Sequence, residues 1–325
     1  MKPKKVHELP SAFGLQHGGS MAIRRRSQSC QWRRRARSPK QQTMLATLVF
    51  RLTIATTALC AIGASTARAQ DASAWDKEPH AEARLIAGSM IKTPDASSLR
   101  AGVEIKLDPG WKTYWRQPGD SGVPPTFDFS SSQNVNSVKV LWPAPEHFPD
   151  GAGGNSIGYV GHIVLPLQIS PKDAAKPSTI HLKLDYAICG NLCVPAEATL
   201  ELALNGDGAE EVAIEKADLR VPRSVALGVG QDLSIRSVHR EPGGEHDRVV
   251  VEVAAPKDAE VGLFVEGPTP DWSLPLPEQN SVDGDLHRFT FDLDGLPTGA
   301  QAQGATLTFT AVTNDDAIEV PVHLD

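Results

Sequence analysis

The chain has 325 residues, 40% hydrophobic and 22% charged, with 27 Gly and 25 Pro. That length suits two domains, and the composition excludes collagen-like, low-complexity and intrinsically disordered chains. The net charge of −7 hides a segregation: residues 1–69 hold 13 Lys/Arg and one acid, Glu8, leaving 19 bases and 38 acids in the other 256 residues, a body that excludes nucleic acid and anionic membrane as partners.

The first 69 residues read as a basic leader and a signal peptide. Arg24-Arg25-Arg26 and Arg33-Arg34-Arg35 with Arg37 precede an apolar or small stretch, Met44 to Ala64, and then Ala67-Arg68-Ala69. A basic region, a short apolar core and an A-x-A site predict export with cleavage after Ala69. A membrane anchor fits less well. Arg51 interrupts the stretch, at about 2.5–3.5 kcal/mol for Arg in mid-bilayer. The uninterrupted core, Leu52 to Gly63, is 12 residues long, where a span needs about 20. Met44 could itself be the start. Cys30 and Cys60 leave with the signal, so Cys189 and Cys193 remain, in an oxidising compartment.

Residues 70–80 read as loose and polar. Beyond them period-2 alternation dominates and predicts strands at 83–87, 101–107, 138–142, 162–167, 180–186 and 198–202. Turn-rich segments separate them: Asp108-Pro109-Gly110, Pro118-Gly119-Asp120, the stretch from Pro149 to Asn155, and Ser170-Pro171-Lys172. Asn205-Gly206-Asp207-Gly208 is a break. Glu210 to Leu219 is the best helix candidate, with Val212 and Leu219 seven apart and Pro222 beyond its end. Strands resume at 249–253, 289–293, 306–310 and 318–322. The expected fold is all-β: two β-sandwich domains, 70–205 and 228–325, each folding on its own and joined by a short helical linker at 206–227.

The informative motif is Tyr186-Ala-Ile-Cys189-Gly-Asn-Leu-Cys193-Val-Pro195. As a staple, a Cys189–Cys193 disulfide does little. Closing so small a loop is worth about 2 kcal/mol on the entropic model, against about 4–5 for a loop near 100 residues. A small, exposed disulfide after a strand is the labile kind, suited to exchange. Zinc fits poorly, because two thiolates have no histidine nearby. From the residues alone, redox exchange and a structural disulfide both stay open.

The remaining motifs are weaker. Gly110-Trp111-Lys112-Thr113-Tyr114-Trp115-Arg116 is aromatic-dense, and alternation puts Trp111 and Trp115 on one strand face and Tyr114 on the other. Core packing and lining of the cysteine site both remain open for it. Gly119-Asp120-Ser121-Gly122 looks like the nucleophile loop of trypsin-like proteases. It has Val123 where that family needs Gly, and His80 is the sole histidine ahead of it in the mature chain, so it reads as a turn. Asp292, Asp294 and Gly295 lack the other ligands of a calcium loop. The ten histidines show no ligand spacing, and the sequence carries no cofactor motif and no evident small-molecule site.

The span from Gly110-Trp111 through Trp142-Pro143, Gly158-Tyr159 and Leu165-Pro166-Leu167 to Tyr186…Cys189…Cys193-Val-Pro195 resembles the N-terminal periplasmic domain of the DsbD family, the thiol:disulfide interchange proteins or protein-disulfide reductases. The closer likeness is to the N-terminal region of ScsB-type relatives, in which two β-domains precede the membrane part. The resemblance implies an immunoglobulin-like sandwich, a periplasmic location and thiol–disulfide exchange. It implies electrons received from a membrane-embedded donor and passed to thioredoxin-like periplasmic proteins. It assigns Cys193 as the attacking thiol and Cys189 as the resolving one. Tyr114 and Trp111 match the aromatic strand, Asp150 lies in the region of the cap loop, and Tyr186 is grouped with them as site-lining. Three residues separate the cysteines here, against five in typical DsbD. The 325 residues contain no transmembrane section and no thioredoxin-like CxxC, so the donor is expected to be a separate membrane protein.

The leading expectation is therefore a periplasmic thiol:disulfide exchange module, a thiol-disulfide oxidoreductase component working through Cys189 and Cys193. The alternative is a non-catalytic periplasmic β-sandwich for binding or assembly, with a structural disulfide.

Overall fold

Leu, Ile and Val at every second position set the first sheets. In the computed structural model, which describes residues 71–92, 97–149, 154–206 and 208–325, the first eleven strands are β1 (Asp76–Glu78), β2 (Ala81–Lys92), β3 (Ser97–Leu107), β4 (Lys112–Gly119), β5 (Thr126–Asp128), β6 (Val135–Val140), β7 (Glu146–Pro149), β8 (Asn155–Val160), β9 (His162–Pro171), β10 (Ser178–Cys189) and β11 (Cys193–Leu204). They form two sheets, ordered β1-β2-β3-β9-β6 and β11-β10-β4-β8-β7, with β5 on β10. Leu85, Val103, Ile105, Leu165 and Leu167 of one sheet face Ile180, Leu182, Leu184, Leu200 and Leu202 of the other, all buried. Each such side chain contributes about 1.5–3 kcal/mol. The leader, the apolar segment 44–64 and the Ala67-Arg68-Ala69 site lie outside the described residues. Among the described residues no helix is long and apolar enough to cross a membrane.

Residues 71–80 are not loose. β1 pairs with β2, and Ala72 bridges Ile86. Arg84 and Lys106 both lie over the Trp75 ring, and Asp76 Oδ2 accepts the Thr199 amide at 2.9 Å. Two cation–π contacts and two side-chain-to-backbone bonds, the second from the Leu85 amide to Ser73 Oγ at 2.9 Å, hold a segment whose polar composition alone suggested none.

The single helix among the described residues, α1 (Glu211–Asp218), falls where the sequence put it. Its face does not. Val212 and Leu219 are 79% and 88% exposed, while Ile214 and Ala217 pack on Ile86 and Val164 of the first sandwich's outer surface. Arg100 on β3 pairs with both Glu211 and Asp218 and fixes the helix there. Burial holds the Asp218 carboxyl above its usual range, against the pull of Arg100.

The second sandwich comprises β12 (Arg223–Ser224), β13 (Ser234–Glu241), β14 (Arg248–Ala254), β15 (Gly262–Glu266), β16 (Glu278–Asp283), β17 (Leu286–Asp292), β18 (Thr306–Val312) and β19 (Ala317–His323). Its sheets are β12-β19-β18-β15 and β13-β14-β17-β16, around Val249, Val251, Phe289, Phe309 and Val320. β12 pairs in parallel with β19, so residues 223–224 join this sheet instead of the linker. The two cores also meet. Phe264 of β15 is buried in the core of the first sandwich, its ring 5.7 Å from that of Trp115.

Candidate functional site: a buried and an exposed cysteine under Tyr114

The cysteines close the β10–β11 hairpin. The strands pair without a break from Ser178↔Leu204 to Cys189↔Cys193, and Gly190-Asn191-Leu192 turns the chain. Alternation decides where each side chain goes. Tyr186 and Ile188 point into the sandwich, whereas Ala187 and Cys189 point to the outer face of the sheet. A disulfide joins Cys189 and Cys193, with Cα atoms 4.1 Å apart. The two sulfurs differ in access: Cys189 is 1% exposed, and Cys193 stands at the surface beside Leu192, itself 71% exposed.

β4 supplies the cover. Its Lys112 and Thr113 lie opposite Cys189 and Ile188, so Tyr114 reaches over the pair from the neighbouring strand. Tyr114 Oη lies 2.7 Å from Cys189 Sγ and 3.3 Å from Cys193 Sγ. Disulfide sulfurs carry no hydrogen, so the phenol is the donor. The Thr113 hydroxyl donates to the Ala187 carbonyl at 2.9 Å and fixes β4 against β10. A Cβ on Gly122 would strike the Tyr114 ring, so the turn after β4 sits on that side chain. This is the segment that looked protease-like. It is a turn clamped to β8, with Asp120 N–H donating to the Asn155 carbonyl and Asn155 N–H to the Asp120 carboxylate, both at 2.9 Å.

The aromatic strand divides three ways. Trp115 is core, and Tyr114 is at the sulfurs. Trp111 packs at the core edge and also against the hairpin, where a Cβ on Gly190 would come within 3.1 Å of its indole. Tyr186 does not line the site. It belongs to the core face, and burial, with the nearby Glu78 and Asp76 carboxylates, pushes its pKa to about 12. Asp150 lies outside the described residues. The hairpin that would present it, β7–β8, is described up to Pro149 and from Gly154 onward.

Two residues at the site were not singled out from the sequence. His80, in the left-handed region with φ 70°, stacks on Trp111 at 4.1 Å, and its Nδ1 lies 3.0 Å from Asp108 Oδ2. Lys112 shares the outer face with Cys189. Its Nζ donates to Ser156 Oγ at 3.1 Å and lies 5.6 Å from the Phe148 ring centre. The period-2 pattern already places Lys112 on the Tyr114 face. Nothing in the sequence brings His80 to Trp111. Elsewhere, Asp292 pairs with Arg248 and Asp294 caps the Gly295 turn. Among the described residues no group of three or more His, Cys, Asp or Glu side chains is placed to hold a metal ion.

The first domain is thus an immunoglobulin-like sandwich with a disulfide at a hairpin tip, one sulfur covered and the other open. Residues 82–205 match the family model for the N-terminal domain of the thiol:disulfide interchange protein DsbD. The structure is also similar to the crystal structure of the N-terminal periplasmic domain of ScsB from Proteus mirabilis, with TM-score 0.61 and 23% identity over 78% of this chain and 98% of that one. A match of that extent includes the second sandwich. No curated protein matches the chain. The first sandwich thus matches the DsbD N-terminal model in sequence, and the likeness to the ScsB domain is one of fold.

Proposed function

We propose that the chain is a periplasmic thiol:disulfide exchange module, exported by its N-terminal signal and cleaved after Ala69. The observation that carries the reading is the unequal access of the two sulfurs within one three-residue loop. In the reduced module the Cys193 thiolate attacks a disulfide of a thioredoxin-like partner and displaces one partner thiolate, giving a mixed disulfide. The Cys189 thiolate then attacks Cys193 Sγ and releases the second partner thiolate. Two electrons pass to the partner, and Cys189–Cys193 is left as the disulfide described above. A membrane-embedded dithiol donor returns it to the dithiol by the reverse steps.

Tyr114 serves both states. Its hydroxyl donates to sulfur in the disulfide and is within reach of a thiolate in the dithiol, where such a bond favours the charged form. Lys112, on the same face, adds positive charge near the thiolate. Exposed Leu192 gives a partner an apolar contact next to the attacking sulfur.

Trapping tests the reading. Cys189→Ser leaves Cys193 with nothing to resolve its mixed disulfide, so it should capture an oxidised thioredoxin-like protein as a stable adduct on a non-reducing gel. Cys193→Ser should capture little. Equal capture by both variants, or by neither, contradicts the assignment.

A further inference from the structure

The sheet holds only half of β4. Residues 112–114 are paired to β8 on one side, Lys112 and Thr113 also to β10 on the other, and the ladder to β8 then breaks until Gly119↔Ser156. Across that gap the side chains turn to the second sandwich. Trp115 meets Phe264. Arg116 donates through Nε to Glu266 Oε1 at 2.9 Å and through a terminal nitrogen to Glu266 Oε2 at 2.6 Å, and the same nitrogen reaches Glu319. Burial alone would lower the Arg116 pKa, but the two carboxylates outweigh it and raise it above the ordinary arginine value.

The surface that receives these residues is one outer sheet face of the second sandwich. Phe264, Thr310 and Glu319 are successive cross-strand neighbours on β15, β18 and β19, and Glu266 lies two residues along from Phe264. Phe264 and Thr310 are fully buried there. The same Phe264 ring meets His147 of β7 edge-on at 6.2 Å. Thus one row of the second sandwich touches both the strand that carries Tyr114 and the hairpin on the far side of β8.

We infer that the second sandwich is the positioning element of the cysteine site, with Arg116 as the positioning residue that fixes Tyr114 over the two sulfurs from two residues away. The inference rests on the exchange reading of Cys189 and Cys193. A hydrogen bond to sulfur survives only a small displacement of its donor. If β4 is held loosely beyond Tyr114, the phenol no longer stabilises the thiolate of the reduced pair, and the pair becomes harder to reduce.

The test is the redox equilibrium of the full chain with dithiothreitol. Glu266→Gln/Glu319→Gln keeps the shape of the interface and removes both charges. It should shift the equilibrium toward the disulfide by about 2- to 10-fold, the worth of one hydrogen bond. Loss of two negative charges by itself favours the thiolate and moves the equilibrium the other way. In a Tyr114→Phe background the same double substitution should no longer shift the equilibrium toward the disulfide, because that route runs through the phenol and only the opposite effect of the lost charges remains. An unchanged equilibrium in the folded double variant overturns the inference, as does a shift that persists undiminished with Tyr114→Phe. Should the double variant not fold, Glu319→Gln alone, which keeps the Glu266 fork, is held to the same criteria with a smaller shift. Failure of the exchange reading shows separately, as a Cys189→Ser chain that captures no oxidised thioredoxin-like protein, whatever the equilibrium of the wild-type pair with dithiothreitol.

Discussion

The two sandwiches are built alike and use their outer faces differently. Each is a pair of sheets, antiparallel but for the β12–β19 pair of the second, closed on Leu, Ile, Val and Phe. On the first, an outer face buries Tyr114, Ala187 and Cys189 as a small cluster of its own. On the second, the corresponding resource is given over to Phe264, Glu266 and Glu319, which meet the first sandwich and hold no thiol. The lesson is that the fold supplies rigid strands, and the chemistry depends on which outward positions carry sulfur and which carry support.

The strongest way to break this comparison is to remove the shared residue. Phe264 belongs to the second sandwich by chain and to the first by packing. Phe264→Ala should cost about 3–5 kcal/mol, as for other buried aromatics. Hydrogen exchange should show the loss in β4 and β9 of the first sandwich as well as in β15. Protection lost in the second sandwich alone would mean that the two are separate folding units, as the break at Asn205–Gly208 suggested.

A finer contrast lies between the two faces of β10. Cys189 is on the outer face; Tyr186, three residues earlier, is on the core face, its hydroxyl buried with no hydrogen-bond partner among the described residues. Its folded-state pKa of about 12 lies above the ordinary tyrosine value near 10, so the native state keeps the proton longer than the unfolded chain does. The associated stability is present below pH ~10 and is lost as pH rises through about 12. Tyr159, buried and donating to the Pro143 carbonyl at 2.8 Å, is shifted in the same direction. Tyr186→Phe should change stability at neutral pH by less than about 1 kcal/mol. It should also make the alkaline fall shallower in denaturant titrations between pH ~10 and ~12, with exchange activity unaffected. Loss of that activity in Tyr186→Phe would return Tyr186 to the cysteine site.

Much of this was legible in alternation. The strands at 83–87, 101–107, 180–186 and 198–202 all lie inside observed strands, because each buries at least every second side chain in the core. β16 was not legible. All six of its residues are exposed, so no periodicity marks it. The helix was found but its face was misread, since the spacing of Val212 and Leu219 competes with the tighter pair Ile214 and Ala217. At the site, the cysteines were readable from spacing; strand parity only set Tyr114 on the face opposite Trp111 and Trp115, and the family resemblance brought it to the cysteines. The stacking of His80 on Trp111 was not, because it depends on β1–β2 and the Asp108 turn meeting in space. The entry of Phe264 into the first core was invisible for the same reason: one phenylalanine in an ordinary strand gives no sign of which face of the molecule it serves.

The reduction potential of the Cys189–Cys193 pair, measured on the exported full chain against glutathione and dithiothreitol, tests the central claim most directly. A module that gives and takes electrons should have a potential above about −300 mV and be reduced reversibly by a dithiol. A value below about −300 mV, with the disulfide inert to thioredoxin-like proteins, would mark it as a structural staple and contradict the account.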